Sequence, residues 1–223
     1  MGYHALIIED DIDIAHILSL TLTKMHIKTT LNFSGQEAIE TLEKDQFDLI
    51  LLDLMLPEVS GEEILSYIKA HANSRVVVIS AKTDVEEKVR LLSSGADDYL
   101  TKPFDTKELA ARIDVQLRNL QQMPRQGDIL TWRDLTIDKQ TRKVQVKNQV
   151  LNVTNTEYDI LCLFMLTPEQ PISKQKIYEN IQGIYLGDDN TVNVHISNIR
   201  KKLAAFSDES YIKTVWGIGF MLE

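Results

Sequence analysis

Five short apolar runs punctuate the first half of the chain, spaced so that a helix fits between each pair. They lie at residues 5–8, 49–52, 76–79 and 99–100, with a weaker one at 28–31. Each is too short for a buried helix and rich in β-favouring residues, so each predicts a strand. The segments between them repeat apolar residues at three- to four-residue spacing. Ile14, Ile17, Leu18 and Leu22 do so, as do Ile64 with Ile68, Val89 with Leu92, and Leu109 with Ile113; this is the period of an amphipathic helix. Ser34 ahead of Glu37 and Asp105 ahead of Glu108 fit capping boxes, and Gly95 behind Leu92 fits a helix stop. Strand then helix, five times over, implies an α/β doubly wound parallel sheet.

The grammar changes after QQMPRQGD at 121–128, a polar stretch with Pro and Gly that reads as a linker. Beyond it, short strands are predicted at 130–132, 135–137, 143–146 and 150–151, with hairpin turns at 138–141 and 147–149. Three helical patterns follow at 156–166, 174–181 and 190–206, and 212–222 reads as a closing hairpin. The expected organisation is one domain over 1–120, a linker over 121–128 and an α+β domain over 129–223.

Composition permits this division. A chain of 223 residues, 43% apolar and 26% charged, is long enough for two small cores. Its single cysteine, Cys162, excludes an intrachain disulfide; set among Ile160, Leu161, Leu163 and Phe164, it is expected as a small buried apolar residue. The opening MGYHALIIEDD lacks a basic stretch and is not read as a signal peptide. No segment approaches the ~18 uninterrupted apolar residues of a membrane span, so a cytoplasmic protein with no membrane contact is expected. The net charge of −9 argues against a nucleic-acid partner until it is divided. Residues 1–120 hold 12 Lys and Arg against 21 Asp and Glu, which is the whole deficit, and the remainder balances at 12 against 12. Such asymmetry suits two domains with different tasks.

The candidate chemistry lies where the first-half strands end. Glu9, Asp10 and Asp11 follow the first strand, Asp53 ends the third, Ser80 the fourth, and Lys102 follows the fifth. Carboxyl ends of parallel strands form a ligand crevice, so these residues would meet. Clustered carboxylates repel unless a cation joins them, and a few oxygen ligands with room for water suit Mg²⁺. A carboxylate beside Mg²⁺ can attack a phosphoryl group and become an aspartyl-phosphate, with Lys102 and Ser80 as donors to its oxygens. Taken singly, an aspartate at a strand end can equally serve as a helix cap.

The runs LIIEDD at 6–11, DLILLDLMLPEVSG at 48–61, ISAK at 79–82 and GADDYLTKPF at 95–104 resemble the receiver domain of bacterial response regulators. The resemblance implies a CheY-like sheet in the order 2-1-3-4-5, with Asp53 as phosphoacceptor for a sensor histidine kinase. It implies Mg²⁺ on Asp10, Asp53, the Met55 backbone carbonyl and, through water, Glu9. Ser80 and Lys102 would contact the phosphoryl oxygens, Lys102-Pro103 would be cis, and Asp11 would be a neighbour and not a ligand. Ser80 and Tyr99 would form a switch pair, the hydroxyl moving to the phosphoryl group and the ring turning inward; a half-buried strand tyrosine is the plainer alternative for Tyr99.

In the second half, NTVNVHISNIRKKL at 190–203 places Val192, Ile196, Ile199 and Leu203 on one helical stripe, and Asn190, Thr191, Asn193, Val194, Ser197, Asn198 and Lys201 away from it. Small polar residues ahead of Arg200, Lys201 and Lys202 suit a DNA major groove, although a solvated helix with a basic C-terminus shows the same pattern. TNTEYDILCLF at 154–164, VNVHISNIRKKL at 192–203 and YIKTVWGIGF at 211–220 resemble the winged helix-turn-helix output domain of the OmpR/PhoB family. That resemblance implies base contacts by Val194, Ser197 and Asn198, and backbone contacts by Thr191, His195, Arg200, Lys201 and Lys213, with Trp216 on the wing. Asn190 and Trp216 stand where the family often has arginine. Both remove positive charge, so weak binding by the monomer is expected, with a homodimer on tandem half-sites of promoter DNA supplying affinity. With no second His or Cys at ligand spacing, His195 is not read as a metal ligand.

Residues 85–118 carry charges expected at the surface, among them Asp97, Asp98, Lys88, Glu108 and Arg112. The resemblance implies a symmetric dimer on the face of the fourth helix, fifth strand and fifth helix, with Lys88–Glu108 and Asp98–Arg112 as intermolecular pairs. The chain is not expected to be an enzyme: a dehalogenase-class phosphatase would need a general acid two residues after Asp53, and that position is Met55.

Overall fold

The computed structural model describes residues 2–81, 84–121, 129–182 and 189–223, which fall into two compact units, Met1–Leu117 and Arg118–Glu223. The unit boundary lies inside a helix ending at Gln121; apart from Gln121, the expected linker at 121–128 lies outside the described residues.

In the first unit β1 (His4–Ile8), β2 (Lys28–Asn32), β3 (Leu49–Asp53), β4 (Arg75–Ser80) and β5 (Asp98–Thr101) pair in parallel in the order β2-β1-β3-β4-β5, the order the resemblance implied. The helices α1 (Ile12–Lys24), α2 (Gly35–Lys44), α3 (Gly61–His71) and α4 (Val85–Ser93) connect them, and α5 (Thr106–Gln121) follows. Every residue of β3 and β4 is buried, which explains why these strands read as unbroken apolar runs instead of alternating ones.

Side chains at the strand ends start the helices. The Asp11 carboxylate accepts from the N–H groups of Asp13 and Ile14 at 2.9 and 3.1 Å, so this acid caps α1. Ser34 accepts from the Glu37 N–H at 3.2 Å, but Glu37 reaches back to the Phe33 N–H at 2.8 Å, one residue before the cap. Asp105 accepts from the Lys107 N–H, whereas Glu108 turns to Arg112 and closes no box. A full capping box not foreseen opens α3, with Ser60 and Glu63. Gly95 ends α4 as expected: its φ of +107° is a conformation that only glycine takes at no cost, and its N–H meets the Leu92 carbonyl at 3.1 Å.

Three charges expected at the surface are buried instead. Asp97 accepts from Lys69 Nζ and the Val76 N–H, both at 2.9 Å, and lies 3.4 Å from a guanidinium nitrogen of the fully buried Arg75. Asp98 is fully buried as well, and Arg112 Nη1 of the same chain donates to its two oxygens at 3.0 and 3.2 Å, while Arg112 also bonds Glu108. The Asp98–Arg112 pair expected between protomers is therefore an intrachain pair. The sequence counts charges but not depth, and β5 runs close enough to α5 for an inward aspartate to meet a helix arginine.

In the second unit β6 (Ile129–Trp132), β7 (Leu135–Asp138), β8 (Lys143–Val146) and β9 (Gln149–Leu151) form an antiparallel meander. Lys147 and Asn148 join β8 to β9 with φ of +50° and +64°, the paired left-handed residues of a tight hairpin turn. Then come α6 (Asn155–Leu166), β10 (Ile172–Ser173), α7 (Lys174–Gln182), α8 (Asp189–Ala204), β11 (Ile212–Val215) and β12 (Gly219–Leu222). The two-residue β10, too short to show a periodicity, pairs with β12 in a β10-β12-β11 sheet. A side chain on Gly219 would come within 2.1 Å of the Ile172 carbonyl, so glycine is required for that close approach. Cys162 is only partly buried, packed on the core, and burial pushes its thiol up to about 11.

Burial alone would raise the Asp97 carboxyl, but Lys69 and Arg75, with the bonds from Lys69 and Val76, outweigh it and hold it below its ordinary 3.8. Removing one charge from such a buried cluster costs about 3–5 kcal/mol, so Asp97→Asn is expected to lower the urea midpoint sharply. A depressed carboxyl contributes stability that is present above its unfolded value and lost as pH falls through the folded one. The gap between the native chain and the variant should therefore narrow on acidification below about pH 4, read from urea melts across pH.

Candidate functional site

The first-unit candidates converge at the carboxyl ends of β1, β3, β4 and β5. The order β2-β1-β3 reverses the winding direction between β1 and β3, and a crevice opens there. Asp53, the last residue of β3, points one carboxylate oxygen at Lys102 Nζ, 2.6 Å away, while Nζ also bonds both oxygens of Glu9 at 2.8 Å. The other Asp53 oxygen accepts from the Met55 N–H at 2.9 Å, which fixes the turn that carries the Met55 carbonyl. Ser80 is fully buried at the end of β4, and its carbonyl receives the Lys102 N–H at 2.8 Å. The Lys102-Pro103 peptide is cis. Tyr99 is buried on β5.

Among the described residues, Glu9, Asp10 and Asp53 bring their oxygens within 4.8 Å of one another. Glu9 and Asp53 are buried and Asp10 is exposed, so the cluster opens to solvent on one side. Three hard carboxylate oxygens with an open face fit Mg²⁺, which keeps several waters. Burial pushes the Glu9 carboxyl up to about 7, with the neighbouring Asp53 charge adding to it and Lys102 opposing. Burial would pull the Lys102 ammonium down, but its bonds to Asp53 and Glu9 reverse this and hold it above its ordinary value. A glycine whose role was not foreseen supports the site: a Cβ on Gly61 would lie 2.5 Å from Leu54 Cα and 2.6 Å from the Asp53 carbonyl. Its only trace in the sequence is that a glycine follows the loop directly.

The second-unit candidates divide. Val192, Ile196, Ile199 and Leu203 are buried, as their stripe predicted. Ser197 and Lys201 are exposed, and Val194 and Asn198 partly so. Thr191 and His195 are each 1% exposed; the backbone contacts expected of them are corrected, because α8 packs a wider arc than one stripe into the core. Arg200 is also committed internally, with Nε and Nη2 donating to the Ile212 carbonyl at 3.0 and 2.9 Å and Nη2 to Thr214 at 2.9 Å. It straps α8 to β11. Lys213 is exposed and paired with Glu223 at 3.0 Å.

A groove of about 610 Å³ lies between the start of α7, the exposed face of α8 and the β11–β12 hairpin, with Asn193, Ser197, Thr214 and Trp216 on its walls. Lys174 and Gln175 line it too, and sequence reasoning missed them. Ser173 accepting from the Lys176 N–H at 3.1 Å marks that helix start, and a serine three residues ahead of Lys176 was the available signal.

Replacing Gly61 by valine would drive side-chain atoms into the backbone that carries Asp53. Gly61→Val is expected to lower Mg²⁺ affinity by about tenfold or more, whereas Gly35→Ala, which meets Val59 and Ile64 and not the backbone of Asp53 or Leu54, should perturb binding less. Titrating Mg²⁺ against each variant by calorimetry checks this.

The comparisons agree with this geometry. Residues 5–114 match the response regulator receiver domain, and residues 148–222 match the C-terminal domain of transcriptional regulatory proteins. The chain is 36% identical over 218 residues to the response regulator ArlR of Staphylococcus aureus, covering 97% of this chain and 98% of that one. Among solved structures, a RitR mutant superposes with a TM-score of 0.78 at 26% identity, covering 100% of this chain and 99% of the other. The response regulator DrrB of Thermotoga maritima, an OmpR/PhoB homologue, gives 0.55 at 27% identity over the same shares. Among the described residues no helix is long and apolar enough to cross a membrane. The chain belongs to the two-component response regulators that join a receiver to an OmpR/PhoB-type DNA-binding domain.

Proposed function

We propose that Asp53 accepts a phosphoryl group from a sensor histidine kinase and that the modified chain dimerises and binds promoter DNA to control transcription. The observation that carries this reading is the meeting of Asp53 and Glu9 around the Lys102 ammonium, at 2.6 and 2.8 Å, with Asp10 beside them. An Asp53 oxygen attacks phosphorus, a P–O bond forms, and the P–N bond to the donor histidine breaks, its nitrogen leaving with the electron pair. Asp10, Asp53 and the Met55 carbonyl would hold Mg²⁺, with Glu9 acting through water; the ion supplies neutralisation of the transferring oxygens. Lys102 neutralises a further oxygen, and Ser80 donates its hydroxyl to another. Ser80 then moves toward the phosphoryl group and the Tyr99 ring, already buried on β5 in this structure, shifts inward behind it.

Dimerisation in this reading uses the α4–β5–α5 face. Lys88 with Glu108 is the intermolecular pair, while Asp98 and Arg112 stay bonded within each chain. Single surface pairs contribute little, so the phosphorylated state need only shift a balanced equilibrium by a few kcal/mol. On DNA, Val194, Ser197 and Asn198 meet bases on tandem half-sites, and Lys201 and Lys213 meet phosphates.

Acetyl phosphate with Mg²⁺ is expected to add one phosphoryl group by intact mass to the native chain and none to Asp53→Ala. Sedimentation should show a dimer only for the modified chain, and DNA selection should enrich a tandem repeat. Lys88→Glu is expected to leave the phosphoryl gain intact but weaken the dimer, and Lys88→Glu with Glu108→Lys to restore it. A modified chain that stays monomeric and enriches no sequence would remove the reading.

A further inference from the structure

Between Asn190 and Ile199 helix α8 carries no Asp, Glu, Lys or Arg, in a chain of which 26% is charged. A helix face turned only to water usually holds such charges. Here Asn193 and Ser197 are exposed, Val194 and Asn198 partly so, and the exposed Lys201 follows them. At 3.6 residues per turn these five side chains fall within one arc of about 140°, on the side of α8 away from its buried stripe. Among the described residues, the amides of Asn193 and Asn198 and the Ser197 hydroxyl have no intrachain partner. The arc therefore offers unengaged amides on either side of one apolar side chain, Val194.

The chemistry of those groups selects among base pairs. In the major groove adenine shows an acceptor, N7, beside a donor, the N6 amino group, and a carboxamide answers both at once. Guanine shows two acceptors, N7 and O6, which call for the paired donors of arginine or lysine. An amide set against guanine would bring its own oxygen to O6 and leave an acceptor unpaired. The cations that could read guanine are engaged elsewhere, Arg200 with the Ile212 carbonyl and Thr214, and Lys202 with Glu157. That leaves Lys201, which the DNA-binding reading assigns to phosphate. Thymine carries a C5 methyl in the same groove, and a small apolar side chain is its natural contact. Resting on the DNA-binding reading and deepening it, we propose that Asn193 and Asn198 each read an adenine and that Val194 packs on a thymine methyl, so that the half-sites of this chain hold A·T pairs at those positions. Ser197 can donate or accept and adds contact without choosing a base.

The test uses the full chain, treated with acetyl phosphate and Mg²⁺, and the duplexes that it recovers from a random pool. Half-sites with fixed A·T pairs are expected, with affinity read by fluorescence anisotropy. Replacing one such pair by inosine·cytosine keeps the minor-groove edge of A·T and presents the major-groove edge of G·C. Affinity should then fall about tenfold for each pair replaced. Uracil in place of the contacted thymine removes only a methyl group. It should weaken the native chain about fourfold and leave Val194→Ala indifferent. Asn193→Ala and Asn198→Ala should each relax the preference at one pair of the half-site, and Asn198→Arg should turn its pair from A·T to G·C. The inosine and uracil duplexes test the native chain and need no variant to fold. The proposal is overturned if the pairs relaxed by the alanine variants prove to be G·C, or if inosine·cytosine binds as well as A·T, which would mean reading by groove shape. It is equally overturned if the alanine variants lose affinity with no change of preference, which would make the amides phosphate ligands. Failure of the DNA-binding reading appears differently, as no duplex enriched by the native chain, and overturns both.

Discussion

Three carboxylates held within 4.8 Å of one another repel, and two of them are removed from water, so the fold must supply positive charge at that spot. In the described structure the Lys102 ammonium supplies it, bonded to Glu9 and Asp53 at once. The arrangement is only partly compensated. Burial keeps Glu9 at about 7 instead of 4.5, so the folded state binds a proton that the unfolded chain releases at lower pH. The stability of the pocket therefore declines as pH rises between those two values, and a divalent cation relieves the same repulsion. The sheet order, the reversal between β1 and β3, and the glycine under the Asp53 loop all serve to hold these charges together against their repulsion.

The other end of the same strands shows the opposite solution. Asp97, immediately before β5, is neutralised within the protein by Lys69 and Arg75 and sealed from solvent. Burial depth separates the two clusters: Asp97 has satisfied partners on all sides, whereas Asp10 leaves the Glu9–Asp53 cluster open. A closed cluster fixes strand position, and an open one can exchange its cation. Perturbed groups in an open cleft are the ones available for chemistry.

Much of this was legible in the sequence because the signals were local or matched a known pattern. Runs at 49–52 and 76–79 declared buried strands, and Gly95 declared a helix end. The convergence of Glu9, Asp53, Ser80 and Lys102 followed once strand ends were placed side by side. Depth was not legible. Asp97 looks like a surface charge until α3 and β4 are seen to enclose it, as Asp98 and Arg112 do until β5 meets α5, and Thr191 and His195 look exposed on a helical wheel drawn with a single buried stripe. Arg200 misled for a related reason: a helix arginine near a basic run resembles a phosphate ligand, but its donors were taken by the Ile212 carbonyl and Thr214, partners that the sequence separates from it.

The same commitment of Arg200 bears on how the second unit can hold DNA at all. With Arg200 strapped to β11, Lys213 paired to Glu223 and Lys202 bonded to Glu157 at 2.6 Å, several cations of the expected interface already have anionic or carbonyl partners. Each would have to give up a bond to gain a phosphate, so the electrostatic gain per contact is reduced. Recruitment by charge alone would then be weak, consistent with the balanced charge of residues 121–223. In the proposed reading the remaining affinity comes from two copies acting on adjacent half-sites, which turns the second contact into a local one, and from surface that loses nothing on leaving water. Among the described residues of this unit, the side chain with the most such surface is Trp216.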